Sequence, residues 1–282
     1  SWQYSPRRVD TAKRHPDMLT WKDLPADRRR IDANHIKSIS GGLRDHLSLK
    51  QNIFIALGGH RPARLFPNVS AAQEHEKILT QQIREKAQEI LSAYPGCSFT
   101  LLTCLAEGAD RYLYRILRDE LTKHNAHVRL WALLPLPFDM YQKSFGQSLN
   151  GSKDDYVEKK AQSIRDYTQL IGQADYYFEL PLRFGSLADI GEDGSLAEKR
   201  QYALANAYMV QRCDCLLTIW DEVIPRSEEE EASFYGGTWQ LIKWWEDPEL
   251  IPEPFHWTNA FYFIPPAKEK AIRNILPPWK VA

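Results

Sequence analysis

The chain has 282 residues, of which 43% are hydrophobic and 26% charged, with a formal net charge of −1. That length holds one large domain, or one domain with a small appendage, and the composition is that of an ordinary globular protein. The near-zero charge gives no global drive toward nucleic acid or an anionic membrane, and no apolar run approaches the roughly 18–20 residues that span a bilayer.

The charge is uneven: residues 1–50 carry 11 Lys/Arg against 6 Asp/Glu, so a basic segment precedes a mildly acidic body. The chain opens without Met or a signal peptide and has a folded-looking composition from Trp2 onward, so it reads as cut from a longer protein. Cys97, Cys104, Cys213 and Cys215 lack the spacing of a zinc knuckle. They read as structural thiols of a protein in the reducing cytoplasm, with no metal expected.

In chain order, residues 1–50 read as a small basic helical segment. From residue 51 strands and helices alternate. A strand over Ile53–Leu57 is followed by an amphipathic helix over about 71–94, and a strand over Ser98–Cys104 by a helix over about 110–124. A strand over 127–134 ends in Leu-Pro-Leu-Pro, and a polar helix follows over about 154–172. A short strand over 176–180, a loop rich in Gly, Ser and Asp, and a helix over about 197–211 lead to the apolar strand 215–220. The acidic run Glu228–Glu231 reads as a solvated loop or lid margin. A helix over Trp239–Trp245 and a last strand within Trp257–Ile264 complete the pattern. Such alternation predicts a Rossmann-like, doubly wound α/β fold with a mostly parallel sheet over 51–282.

Three loops that follow strands carry the unusual residues. The first is Gly58-Gly59-His60-Arg61, where glycines permit close backbone approach and Arg61 offers a fork of donors for phosphate or carboxylate. The second, Glu107-Gly108-Ala109-Asp110-Arg111, opens a helix whose amides would face an anion. The third combines Asp221 with Gly236-Gly237-Thr238 at the start of the last long helix. Glycine turns along one sheet edge imply a cleft for an extended anionic molecule, best a nucleotide. Neither Gly-x-Gly-x-x-Gly nor a Gly-Lys-Ser/Thr phosphate loop is present, which removes most of the weight from ordinary dehydrogenase and P-loop readings.

The ordered set Ile-Ala-Leu-Gly-Gly-His-Arg-Pro, Leu-Ala-Glu-Gly-Ala-Asp-Arg, Leu-Pro-Leu-Pro-Phe-Asp-Met-Tyr141, Tyr202-Ala-Leu-Ala-Asn206-Ala-Tyr208, Asp214-Cys-Leu-Leu-Thr-Ile-Trp220-Asp221 and Gly-Gly-Thr238 resembles the SLOG superfamily, the Rossmann-like group that includes DprA-type and LOG-type proteins. The resemblance covers roughly residues 52–265. It implies binding of a nucleotide-derived signal, such as an ADP-ribose-like molecule or cyclic oligonucleotide, as a sensor in a prokaryotic antiviral system. It also implies pairing of protomers and an effector outside this chain. LOG-type hydrolases carry Pro-Gly-Gly-x-Gly-Thr-x-x-Glu, whereas Leu241 stands here where that glutamate would be. The alternative, hydrolysis of an N-glycosidic bond in NAD or a nucleotide, therefore needs another carboxylate, with Glu107, Asp110 and Asp221 as candidates and Glu107 or Asp221 preferred as the general acid/base. Trp21-x-x-Leu24-Pro25 with Ala33-Asn-His35-Ile36 resembles part of the RyR domain over about residues 15–50.

Each candidate has a structural reading as well. His60 is either a hydrogen-bonded structural histidine or a ligand contact, and Glu107 and Asp110 either cap a helix, touch ligand or act in catalysis. Tyr202 and Asn206 share a helix face at i, i+4, and Asn206 is assigned, with Asp221, to ribose or base. Trp239 reads as packing or as a stacking platform. No cofactor beyond the nucleotide ligand, and no direct nucleic-acid contact, is expected.

Overall fold

Ile53-Phe-Ile-Ala-Leu57 and Cys215-Leu-Leu-Thr-Ile219 leave no face to water, so strands built from them must be covered on both sides. The computed structural model describes residues 3–4, 14–15, 51–67, 69–146, 153–190, 194–257 and 272–281, and divides the chain into Ser1–Gln51 and Asn52–Ala282. In the second unit the two apolar segments lie side by side in a six-stranded, all-parallel sheet. Its strands are β1 (Asn52–Gly59), β2 (Ser98–Thr103), β3 (Val128–Leu134), β4 (Tyr176–Glu179), β5 (Cys215–Ile219) and β6 (Ile272–Ile275).

The strand order is β4-β3-β2-β1-β5-β6. From β1 the chain winds outward to β4, then returns past β1 to β5 and winds the other way. With right-handed crossovers this reversal puts helices on both faces and leaves a crevice between β1 and β5, at the carboxyl ends of the strands.

The elements used below are α1 (Ala72–Ala93), α2 (Ala109–Lys123), α3 (Lys153–Gly172), α4 (Leu196–Arg212), α5 (Thr238–Glu246) and the single turn α6 (Pro278–Val281). Short helices also form at Pro62–Leu65, Phe138–Tyr141, Leu187–Ile190 and Glu228–Ser233, the last where the acidic run reads as a loop, because Ser227 caps it by accepting from Glu230 N. α1 buries Leu79, Ile83, Ala87 and Ile90, a stripe at spacings of three and four, and packs against α2. α4 buries Ala203, Leu204, Ala207 and Val210, and packs against α5 and β1. Its start is fixed by Ser195, whose Oγ accepts from Glu198 N at 3.1 Å, while Glu198 Oε2 accepts from Gly194 N at 2.7 Å. The first bond satisfies a donor that the opening helical turn leaves free, and the second ties the residue before the cap to that turn.

Three expectations need correction or relocation. The last strand was expected within Trp257–Ile264, but residues from 258 to 264 lie outside the described residues, and the described final strand is Ile272–Ile275. Its Arg273 and Asn274 break the apolar signature because β6 has one neighbour only. Asn274 there donates to Trp220 O at 3.1 Å and accepts from Thr218 Oγ1 at 3.0 Å. In the first unit the helical expectation and the RyR-like segment fall almost wholly outside the described residues. Gln3–Tyr4 and Arg14–His15, which are described, pair as short parallel strands. Finally, Gly58 and Gly59 do not form a turn: they extend β1, in register with Thr218 and Ile219. No helix among the described residues is long and apolar enough to cross a membrane.

Candidate functional site at the sheet switch point

At the carboxyl ends of β1 and β5 there is a cavity of about 440 Å³. β1 and its continuation contribute Leu57, Gly58, Gly59, His60, Arg61 and Arg64; the loop after β2 contributes Cys104, Ala106 and Asp110. The opposite wall comes from Tyr202, Asn206 and Met209 of α4, Trp220 after β5, and the Phe234–Leu241 region that opens α5. Tyr141 closes one side. The volume lies in the range of small-molecule sites, and the position is the one that strand order dictates for an open parallel sheet.

Gly59 is required by close approach. A Cβ at that position would lie 2.5 Å from both Ala109 Cβ and Ile219 O, so any side chain would push α2 and β5 away from β1. The next residue, His60, is buried against Asp221: its Nε2 is 2.8 Å from Asp221 Oδ1 and 3.1 Å from the Asp221 amide. Burial lowers the His60 pKa, partly offset by Asp221, and so keeps the ring neutral at pH 7. Asp221 also accepts from Arg64 and from Val223 N, and its carbonyl accepts from Lys280. Burial would raise the Asp221 carboxyl; His60, Arg64 and the Val223 amide outweigh it and hold the group below its ordinary value.

Arg61 stands differently. Its side chain is 34% exposed, yet Nη1 is buried without a hydrogen-bond partner, 3.9 Å from Glu107 Oε2. The Tyr202 hydroxyl, on the facing helix, is likewise buried; Ser144 lies near it without hydrogen-bond geometry. Unpaired buried donors of this kind are costly in a finished core and are the groups a ligand satisfies. Asp110 is 5% exposed; its Oδ2 accepts from Thr103 Oγ1 at 3.0 Å and from Ala106 N at 3.2 Å. Burial pushes its pKa up to about 6, against the pull of Thr103, Ala106 and the nearby arginines. The charged lining is thus Arg61 and Arg64, against the single carboxyl of Asp110.

Of the fifteen residues singled out in the sequence, Gly58, Gly59, His60, Arg61, Asp110, Tyr202, Asn206, Gly236, Gly237 and Thr238 share this lining. The other five stand elsewhere. Glu107 is buried with both carboxylate oxygens near Gly146 N, at 2.9 and 3.1 Å. Arg111 donates through Nε to Leu105 O and through Nη1 to Ser163, with its guanidinium over the Phe145 ring. Gly108 and Ala109 face the β1 continuation, and Ala109 N donates to His60 O at 2.9 Å. A Cβ on Gly108 would fall 2.4 Å from that same carbonyl. The expected anion contact at the start of α2 is therefore replaced by loop-to-loop packing, because β1 and β2 are adjacent and their loops must interlock. Asp221 lies behind His60 and Arg64, outside the lining. Asn206, assigned to the ligand, gives one amide hydrogen to Gly237 O at 3.1 Å and so holds the turn that starts α5.

That turn spends the Gly236 amide on Gln240 Oε1 and the Gly237 amide on Phe234 O. α5 has no side-chain cap, so its first amides, from Thr238 on, are donors at the cavity wall. Leu241 also lines the cavity. Sequence reading missed Arg64, Met209 and Phe234. Arg64 had a signal: it follows Arg61 by three residues, and Pro62 starts a helical turn that places both on one face. Among the described residues no cluster of three or more His, Cys, Asp or Glu could hold a metal ion, and all four cysteines are free. No protein-family model matches the chain, and no curated protein matches it.

Proposed function

We propose that the unit Asn52–Ala282 binds a nucleotide-derived anionic ligand in the switch-point cavity and acts as a sensor, in keeping with its resemblance to SLOG domains. The observation that carries this reading is the Arg61 guanidinium in the cavity lining, with Nη1 buried, without a hydrogen-bond partner and only in a long ion pair, 3.9 Å, with Glu107. Arg64 on the same face and the uncapped start of α5 supply further donors for a second phosphate. Trp239, Phe234 and Trp220 supply an apolar wall against which a base can lie. The wider assignments, a prokaryotic antiviral pathway, pairing of protomers and an effector reached through them, follow from the resemblance alone.

The hydrolase reading narrows to one of its three carboxylates. Glu107 and Asp221 are spent on Gly146 N and on His60 with Arg64, which leaves Asp110, with its pKa near 6, as the acid in the cavity lining. Calorimetry with ADP-ribose, cyclic ADP-ribose, NAD and a cyclic dinucleotide, followed by chromatography of the ligand, separates the two. A ligand recovered intact after tight binding supports the sensor. Free base or ribose phosphate supports the hydrolase, and no heat from any of the four sinks both.

A further inference from the structure

Resting on that nucleotide reading, we infer that Asp110 is the specificity-determining residue of the cavity: its carboxylate accepts hydrogen bonds from vicinal hydroxyls of a phosphorylated ribose, and selects against deoxy-sugar ligands. Three observations carry the assignment. First, Asp110 is the sole carboxylate lining the cavity among the described residues. Second, its two protein bonds, from Thr103 Oγ1 and Ala106 N, both end on Oδ2, and Oδ1 has no protein donor among the described residues. Third, the charge exceeds what the loop needs, since the nearby Arg61 and Arg111 offset its burial only in part. An asparagine oxygen would accept the same two bonds without the desolvation cost of a buried carboxylate.

The neighbourhood fixes what Oδ1 can meet. Arg61, on the same cavity wall, pairs with Glu107 at 3.9 Å, and Arg111 is turned to Leu105 and Ser163. Cys104, Tyr141 and Tyr202 are the other titratable groups facing this end, and burial raises the pKa of each, so all are neutral near pH 7. A ligand phosphate set against Asp110 would meet like charge, so phosphate belongs at Arg61, Arg64 and the start of α5. A hydroxyl pair suits the carboxylate because it brings donors without charge. A site built to take such donors rejects the analogue that lacks them, since its buried acceptor is left unpaired.

The test is calorimetry of wild type and Asp110→Asn with ADP-ribose and with its analogue carrying both sugars in the 2-deoxy form. Wild type is expected to prefer ADP-ribose by about 10–100-fold, the range of a hydrogen bond to a charged group. In Asp110→Asn the preference is expected to fall to about threefold or less, with affinity for the deoxy analogue retained. Equal affinities in wild type, or an undiminished preference in the variant, overturn the assignment of Asp110 alone. Binding of neither compound by wild type overturns the nucleotide reading, and this inference with it.

Discussion

At Asp110 burial and charge pull in opposite directions, and the balance is readable as pH dependence. The carboxyl ionises with a pKa near 6 in the folded protein against 3.8 unfolded. Between those values the folded state holds the proton more firmly, so stability falls as pH rises through the window, and the full cost is present above it. Two pKa units correspond to roughly 2–3 kcal/mol. Asp110→Asn is therefore expected to be more stable than wild type by about 2 kcal/mol at pH 7.5, with the difference vanishing toward pH 4. His60 and Asp221, with lowered pKa values, respond to acid in the opposite sense in both proteins and cancel in the difference. Denaturant titrations of the pair across pH 4–8 check this; a gap that does not change with pH would show that the carboxyl does not titrate there. Arg61 makes the complementary prediction. Arg61→Ala removes a charge-assisted phosphate contact and is expected to cost about 1.5–3 kcal/mol of ADP-ribose affinity, read by calorimetry. It loses no strong protein partner, since Glu107 at 3.9 Å keeps the Gly146 amide, so its stability is expected within about 0.5 kcal/mol of wild type.

Between elements, the contact that shapes the cavity is the three-way junction of β1, α2 and β5 at Gly59. The Cβ of Gly59→Ala would overlap Ala109 and the Ile219 carbonyl, neither of which is a flexible side-chain tip. The backbones must separate, and an unfolding free energy lower by about 2–3 kcal/mol is expected. Because the same shift moves His60 and Arg61, ligand affinity should fall in parallel; a variant as stable as wild type would contradict the packing described. A second junction ties the end of the described chain to the site. Trp279 of α6 donates to Arg64 O at 2.8 Å and Lys280 donates to the Asp221 carbonyl, so α6 braces both partners of the Arg64–Asp221 pair. In the same way Asn206 braces the Gly237 turn from α4. The cavity is thus walled by residues from several strands and helices, some of them held by neighbours outside the lining, as Arg64 is by Trp279 and Asp221.

Across the molecule, a ligand that binds only the assembled cavity must stabilise the folded state. At a concentration of one hundred times Kd the gain is about 2.7 kcal/mol, and thermal unfolding of wild type is expected to shift upward by several degrees with ADP-ribose. Arg61→Ala should abolish most of that shift at the same concentration. An unchanged melting temperature in wild type would argue that the cavity is not where the nucleotide goes.

The sequence by itself determined the layer architecture. Uniformly apolar strands such as Ile53–Leu57 and Cys215–Ile219 can survive only between two helix layers, and the stripe Leu79, Ile83, Ala87 and Ile90 is legible as one buried helix face. It also marked the three loops that meet at the sheet edge, because the compositional break from apolar strand to glycine is local. What only the tertiary structure decided is which side chains of those loops face inward. Glu107, Asp110 and Arg111 are near neighbours in one loop and helix start, yet only Asp110 reaches the cavity; the others are drawn away by Gly146, Ser163 and Phe145, 34 to 52 positions along the chain. Asp221 is withdrawn by His60 and Arg64 in the same manner. β6 escaped notice because its polar Arg273 and Asn274 acquire partners only once β5 and α1 stand beside it. Periodicity is a property of neighbours in sequence, whereas the direction of a charged side chain is set by whichever distant group satisfies it at least cost in desolvation.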